Sequence, residues 1–163
     1  MKRVILILMA ATLTLAAACT PTSETGSGGK AYRIRNADKV QLRMLDSINA
    51  LRQASGATQV QLNAQLNAAA ATHSRDMSVQ NRPWHFGSDG SSPLDRVART
   101  GYTGTVQGEN ISETYENELQ TLTAWMEDPS TRSVLLDPKA INMGFSWFQE
   151  SNGKIWWTLV MAS

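Results

Sequence analysis

Few residues in this sequence have side chains that could do chemistry, and they are widely spaced. The chain has two histidines, His73 and His85, and a single cysteine, Cys19, in 163 residues. His85 sits in "PWHFGSDGSSPLDRV", where two prolines and two glycines bend the backbone repeatedly. There an imidazole can cap turn amides, accept a proton or bind a ligand. Glu109 lies between Gly108 and Asn110 in the strand-like run "VQGENIS". A carboxylate at the end of an apolar strand must be paired or hydrogen-bonded, or it is pushed toward its neutral form. His73 falls on an apolar helical stripe and reads as a hydrogen-bonded core histidine rather than a ligand. No serine stands in a Gly-x-Ser-x-Gly elbow, so nucleophilic catalysis has no candidate of that type.

Cys19 points to an address rather than a reaction. Lys2 and Arg3 precede an apolar run from Val4 to Leu15, followed by Ala16-Ala17-Ala18-Cys19. This has the form of a signal peptide over residues 1–18, too short for a spanning helix. The stretch resembles a bacterial lipobox, with Ala16 where Leu is usual, and implies a lipid anchor on Cys19. Thr20, rather than Asp, after the cysteine implies outer-membrane sorting; ordinary secretion is the alternative. Removing residues 1–18 takes two of the fifteen basic residues and leaves thirteen against fourteen acidic ones. No basic run survives, which argues against a nucleic-acid partner. With one cysteine the fold must hold without an internal disulfide, and 145 residues suffice for one cored domain. The polar, Gly- and Ser-rich stretch "TPTSETGSGGK" reads as tether, expected over residues 19–36.

The remaining elements must position His85 and Glu109. Val40, Met44, Ile48 and Leu51 make one helical stripe, stopped at Gly56. A second helix follows Asn63 with Leu62, Leu66, Ala69, Ala70, His73 and Met77 on one face. Ser92-Pro93 caps a short helix ending at Gly101. A helix over 116–127 is expected to bury Leu119, Leu122 and Trp125, and Asp128-Pro129 caps another. "NMGFSWFQE" and "IWWTLVMAS" flank Asn152-Gly153, the signature of a type I′ hairpin, with Trp156 and Trp157 on opposite faces. Helices flanking an antiparallel sheet give an α+β sandwich.

The order of these motifs resembles the CAP superfamily of cysteine-rich secretory, antigen 5 and pathogenesis-related proteins, in its short bacterial form. "INALR", "AAATHSRDM", "WHFGSDGSSPLDRVARTGY", "GENI" and "WMEDPSTRSVLLDP" stand in family order, and the domain is expected over residues 37–163. The resemblance implies a three-layer α-β-α sandwich with a C-terminal antiparallel hairpin. It also implies a cleft lined by two histidines and acidic residues that can hold a divalent metal. Carried over by position, His85 is the first cleft histidine, Glu109 the cleft carboxylate and Asp128 a further acidic residue; the resemblance thus implies a His85–Glu109 pair, which would satisfy both groups. The second histidine is replaced by Thr131. Asp128 also reads simply as a helix cap.

A catalytic zinc site wants three protein ligands and a water. With Thr131 in place, zinc binding is expected to be weak or absent, through His85 and Glu109 at most. The expected function is a cell-envelope lipoprotein that binds a protein, lipid or glycan in the cleft. The alternative is a peptidase-like hydrolase with His85 as base and Glu109 as its orienter.

Overall fold

A computed structural model describes residues 32–114 and 116–163. The signal segment, Cys19 and the tether up to residue 31 lie outside the described residues. The elements run α1 (Ala37–Ala54), β1 (Gln61–Leu62), α2 (Ala64–Gln80), α3 (Pro93–Arg99), β2 (Val106–Thr114), α4 (Glu118–Glu127), α5 (Pro129–Leu135), β3 (Asn142–Gln149) and β4 (Ile155–Ala162). The four strands form one sheet in the order β1-β3-β4-β2. β2 and β3 both pair antiparallel with β4, and the two-residue β1 runs parallel to β3. β1 has no sequence signature, because two residues are too few to show alternation.

Side chains alternate across a sheet, so β4 supplies both of its faces. Trp157, Leu159 and Met161 join α1, α4 and α5 in one core, whereas Val160 and Ala162 join Leu66, Ala69, Ala70 and Val97 of α2 and α3 in another. The result is the three-layer sandwich, with Trp156 and Trp157 on opposite faces as alternation requires. α2 lies close on β3 because Gly144 has no side chain: a Cβ there would run into the Leu66 carbonyl.

Caps fix the boundaries. Asn63 accepts from Gln65 and Leu66 amides, Ser92 and Asp95 form a capping box, and Asp128 caps α5. Several expectations need correction. Leu51 packs against the core as its stripe implies, and the fully buried positions of α1 extend one residue further to Arg52, whose guanidinium donates to the carbonyls of Thr58, Leu135, Asp137 and Ala140. Leu62 belongs to β1. α4 starts at Glu118, and Leu119 is 42% exposed. Its buried face is Glu118, Thr121, Leu122 and Trp125, because Glu118 turns inward to pair with Arg43 of α1. The β3–β4 turn is not type I′. Among the described residues Asn152 is not at positive φ, and only Gly153 (φ 101°) takes that role in the turn. Glu150 carbonyl accepts from Gly153 and Glu150 amide donates to Lys154, which makes a three-residue loop with a glycine bulge.

The end of the expected tether is also engaged. Gln149 donates to Tyr32 carbonyl at 2.7 Å and accepts from Ile34 amide at 3.1 Å, while Arg33 reaches the carbonyls of Glu150 and Ser151. A side-chain amide here stands in for a strand partner, so residues 32–36 belong to the folded domain.

Candidate functional site

β2 places Glu109 opposite Val160 of β4, on the α2/α3 face of the sheet, with its side chain 2% exposed. A carboxylate buried to that degree needs compensation. Arg96 of α3 supplies it: Nη2 donates to both Glu109 oxygens, at 3.0 and 2.8 Å, and the Arg96 side chain is itself 4% exposed. His85 completes the group, its Nδ1 2.9 Å from Glu109 Oε1. A carboxylate gripped by a guanidinium is an acceptor, so Nδ1 carries the hydrogen and donates it. Among the described residues the imidazole Nε2 has no hydrogen-bond partner, on a side chain that is half exposed.

The loop bearing His85 is held from inside. Arg96 Nη1 donates to the carbonyls of His85 (3.0 Å) and Ser91 (2.9 Å), and His73 Nε2 donates to Trp84 carbonyl at 3.0 Å. His73 is wholly buried on α2. Burial pushes its pKa below the ordinary imidazole value; Glu109 pulls it upward and Arg96 adds to the downward shift. A neutral His73 with its proton on Nε2 fits the Trp84 contact, and the 3.6 Å to Glu109 Oε1 is too long for a hydrogen bond. Its Nδ1 is buried without a partner among the described residues.

The sequence brings His85 and Glu109 together as expected, and His73 is the hydrogen-bonded core histidine its stripe implied. Asp128 and Thr131 do not join them. Gly108 and Asn110 face the opposite side of β2 from Glu109, toward α5; a Cβ on Gly108 would meet Val134 at 2.6 Å, and Asn110 Nδ2 donates to Thr131 carbonyl at 2.9 Å. Thr131 Oγ1 is spent on Trp125 carbonyl at 2.6 Å. Asp128 is an exposed cap whose carboxylate accepts from the Ser130 amide and hydroxyl, contacts that hold its pKa below the usual range. Arg96 was missed as a site residue. Its signal was the cap: with Pro93 fixed at the first helical turn, the residues three and four further on, Arg96 and Val97, share an inward face.

A model of the CAP family (cysteine-rich secretory protein family) matches residues 45–161. The chain belongs to the CAP family. It is 27% identical over 114 residues to the uncharacterized protein YkwD of Bacillus subtilis, an alignment covering 70% of this chain and 44% of that protein. The chain thus spans less than half of that relative's length. Among solved structures, the fold is similar to an extracellular SCP-domain protein of Bacillus anthracis (TM-score 0.68, 20% identity, covering 80% of this chain and 45% of that one). It is also similar to an outer surface protein of Borrelia burgdorferi (TM-score 0.67, 13% identity, 82% and 98%).

The divalent metal implied by the CAP resemblance does not fit the residues present here. Both Glu109 oxygens already carry Arg96, whose fixed positive charge sits where a cation would bind. Thr131 offers a hydroxyl already committed to a carbonyl on the other side of β2. Among the described residues no three histidine, cysteine or acidic side chains cluster as a metal site. No helix among them is long and apolar enough to cross a membrane.

Proposed function

We propose that this CAP domain is an exported binding module, held in the cell envelope by lipid on Cys19, with His85 as a recognition group. The observation that carries the reading is the Arg96–Glu109–His85 chain. Arg96 neutralises Glu109, and Glu109 then fixes the tautomer and orientation of a half-exposed imidazole at the surface. An oriented ring with its Nε2 open, flanked by Trp84 and the exposed Phe86, is a preorganised contact point for a ligand. The surface and extracellular proteins that share the fold support the exported setting.

The test uses purified envelope components (peptidoglycan, lipid vesicles, surface protein) against wild type and His85→Ala. Saturable binding of one class, lost in His85→Ala, supports the reading; binding unchanged by the substitution overturns it. For the anchor, Cys19→Ser should release the protein from the membrane fraction, and unchanged fractionation would refute it. The Nδ1–carboxylate contact is also the geometry that prepares Nε2 as a general base. That single feature favours the peptidase-like alternative, and peptide turnover abolished by His85→Ala would establish it.

A further inference from the structure

Among the described residues, three cations lie over aromatic rings, and all three fall at one end of the sandwich. The Arg75 guanidinium is 4.8 Å over Phe148, Arg82 is 3.9 Å over Trp84, and the Lys154 ammonium is 3.9 Å over Trp156. Other contacts tie these pairs into one surface. Phe148 and Trp156 are cross-strand neighbours beside the β3–β4 turn. Ser78 of α2 donates to the Glu150 carboxylate in that turn at 2.8 Å, and Lys154 donates to Asn81, the C-cap of α2, at 3.2 Å. Arg33 reaches the same turn from the start of the described chain, donating to the carbonyls of Glu150 and Ser151.

The carboxylates near this surface are mostly engaged. Glu113 pairs with Lys154 at 2.8 Å. Glu150 accepts from the Ser78 hydroxyl, the Trp156 indole and Asn152. Asp76, beside Arg75 in sequence, is turned to Ser88 and Gln80. Glu116 stands exposed just beyond β2. Arg33, Arg75 and Arg82 are the contrast: all three are exposed, and among the described residues none of them has an ion pair. A guanidinium resting on a ring keeps its in-plane donors open for an oxyanion. Apolar side chains stand among these charges. Val79, one turn after Arg75 on α2, is 77% exposed; Phe86, against Trp84, is 48% exposed and Tyr32 46%.

Unpaired arginines interleaved with exposed aromatic and aliphatic groups suit the headgroup layer of a bilayer, where phosphates and the edge of the hydrocarbon lie close together. The path of the chain selects that occupant over a soluble acidic partner. Tyr32 is held at this end by Gln149 and is thirteen residues after Cys19, a length that spans at most roughly 45 Å. A lipid on Cys19 therefore keeps this end of the domain nearest the membrane. We infer that this end docks on an anionic phospholipid bilayer, with Arg33, Arg75 and Arg82 meeting its phosphates. The inference rests on the Cys19 anchor reading for its setting, but on neither the lipid nor His85 for its contacts.

The test takes the mature chain, residues 19–163, carrying Cys19→Ser so that no anchor contributes. It is sedimented with vesicles of equimolar phosphatidylglycerol and phosphatidylcholine, or of phosphatidylcholine alone. Binding should be confined to the anionic vesicles and weaken as salt rises. Arg75→Gln and Arg82→Gln should each weaken it about fivefold, and Arg82→Lys should retain most of it. Lys139→Gln is the matched control: it removes the same charge at an exposed position ahead of β3, at the opposite end of that strand from the turn, and should change nothing. Melting curves that match wild type separate lost binding from lost fold. Equal binding to phosphatidylcholine alone, no binding to anionic vesicles, indifference to the two arginine substitutions together, or an equal loss in Lys139→Gln each overturns the docking surface. Equal affinity for soluble polyglutamate also overturns it, in favour of an acidic protein partner. Vesicle binding that survives His85→Ala and falls with Arg82→Gln supports the surface even if Cys19→Ser leaves fractionation unchanged in cells. Loss in His85→Ala with none in the arginine variants sinks the surface and leaves the cleft.

Discussion

The two faces of the sheet are built from different materials. Against α1, α4 and α5 it presents large rings: Phe145 stacks on Trp157 at 5.6 Å and nearly parallel, and meets Trp125 edge-on at 6.5 Å. Against α2 and α3 it presents a mixed layer, in which Trp156 is buried along with polar groups: Ser74 and Thr158 hydroxyls 3.1 Å apart, and Glu109 beside Arg96 and His73. Rings bury much area without needing partners, whereas a buried polar layer depends on the hydrogen bonds that compensate it. One face is therefore suited to stability and the other to placing a side chain at a chosen point. The half-exposed histidine belongs to the second.

If that division is right, the largest loss should come from the aromatic face. Trp125→Ala removes a ring that is 4% exposed and should cost about 3–5 kcal/mol in chemical denaturation. Glu116→Ala and Leu119→Ala, at exposed positions flanking the start of α4, should each cost under about 0.5 kcal/mol. A large loss at Leu119 would mean that α4 is rotated and that Glu118 is not the inward residue.

The polar face should be nearly as sensitive at one point. Arg96→Met keeps the bulk but leaves Glu109 buried with only His85 as donor, and should cost about 3 kcal/mol, measured the same way. It should also broaden the NMR signals of the loop, since the His85 and Ser91 carbonyls lose their clamp. A double substitution, Arg96→Met with Glu109→Gln, should recover part of the loss by removing the stranded charge. Failure to recover would assign Arg96 a packing role alone.

His73 gives the same face a pH dependence. Burial lowers its pKa in the folded state, so the unfolded chain binds the extra proton first as pH falls. The stability this neutral histidine contributes is present above its ordinary value of 6.5 and is lost as pH falls through that value toward its lowered folded pKa. The slope from this one site is at most about 1.4 kcal/mol per pH unit. His73→Gln, which retains a donor for Trp84 carbonyl, should flatten the stability profile between pH 7 and 5. An unchanged slope would place the titration elsewhere.

What could be read from the sequence divides along the same line. Helix starts at Asn63, Ser92 and Asp128 were legible because caps are local chemistry, and the Trp156–Trp157 split follows from strand alternation alone. The His85–Glu109 contact came from motif order, not from periodicity. Arg96, Arg52 and Glu118 were missed because each is a charged residue whose burial depends on a distant partner: Glu109, the Leu135, Asp137 and Ala140 carbonyls, and Arg43 respectively. Hydrophobic patterning assigns such residues to solvent, which is why the α4 stripe begins at Glu118 and not at Leu119, and why Arg52 goes unseen beside Leu51 on the core side of α1. Thr131 could be aligned with a cleft position but not oriented, since its side relative to β2 depends on the packing of α5.

The smallest expected effect tests that last point directly. Thr131→His restores an imidazole at the aligned position of the second cleft histidine, and alignment alone would have it capture zinc with His85 and Glu109. The fold argues otherwise. α5 packs on the face of β2 that carries Gly108 and Asn110, while Glu109 projects to the other, and the Arg96 guanidinium already covers both of its oxygens. Zinc titration by calorimetry should therefore give no measurable difference between Thr131→His and wild type. Arg96→His is the matched control on the polar face: it removes the competing cation and places an imidazole where the guanidinium was, so it should bind zinc more tightly than either, provided circular dichroism shows it folded. A gain in Thr131→His would bring the start of α5 within reach of Glu109, and the separation of the two faces would then fail at the one place where the site depends on it.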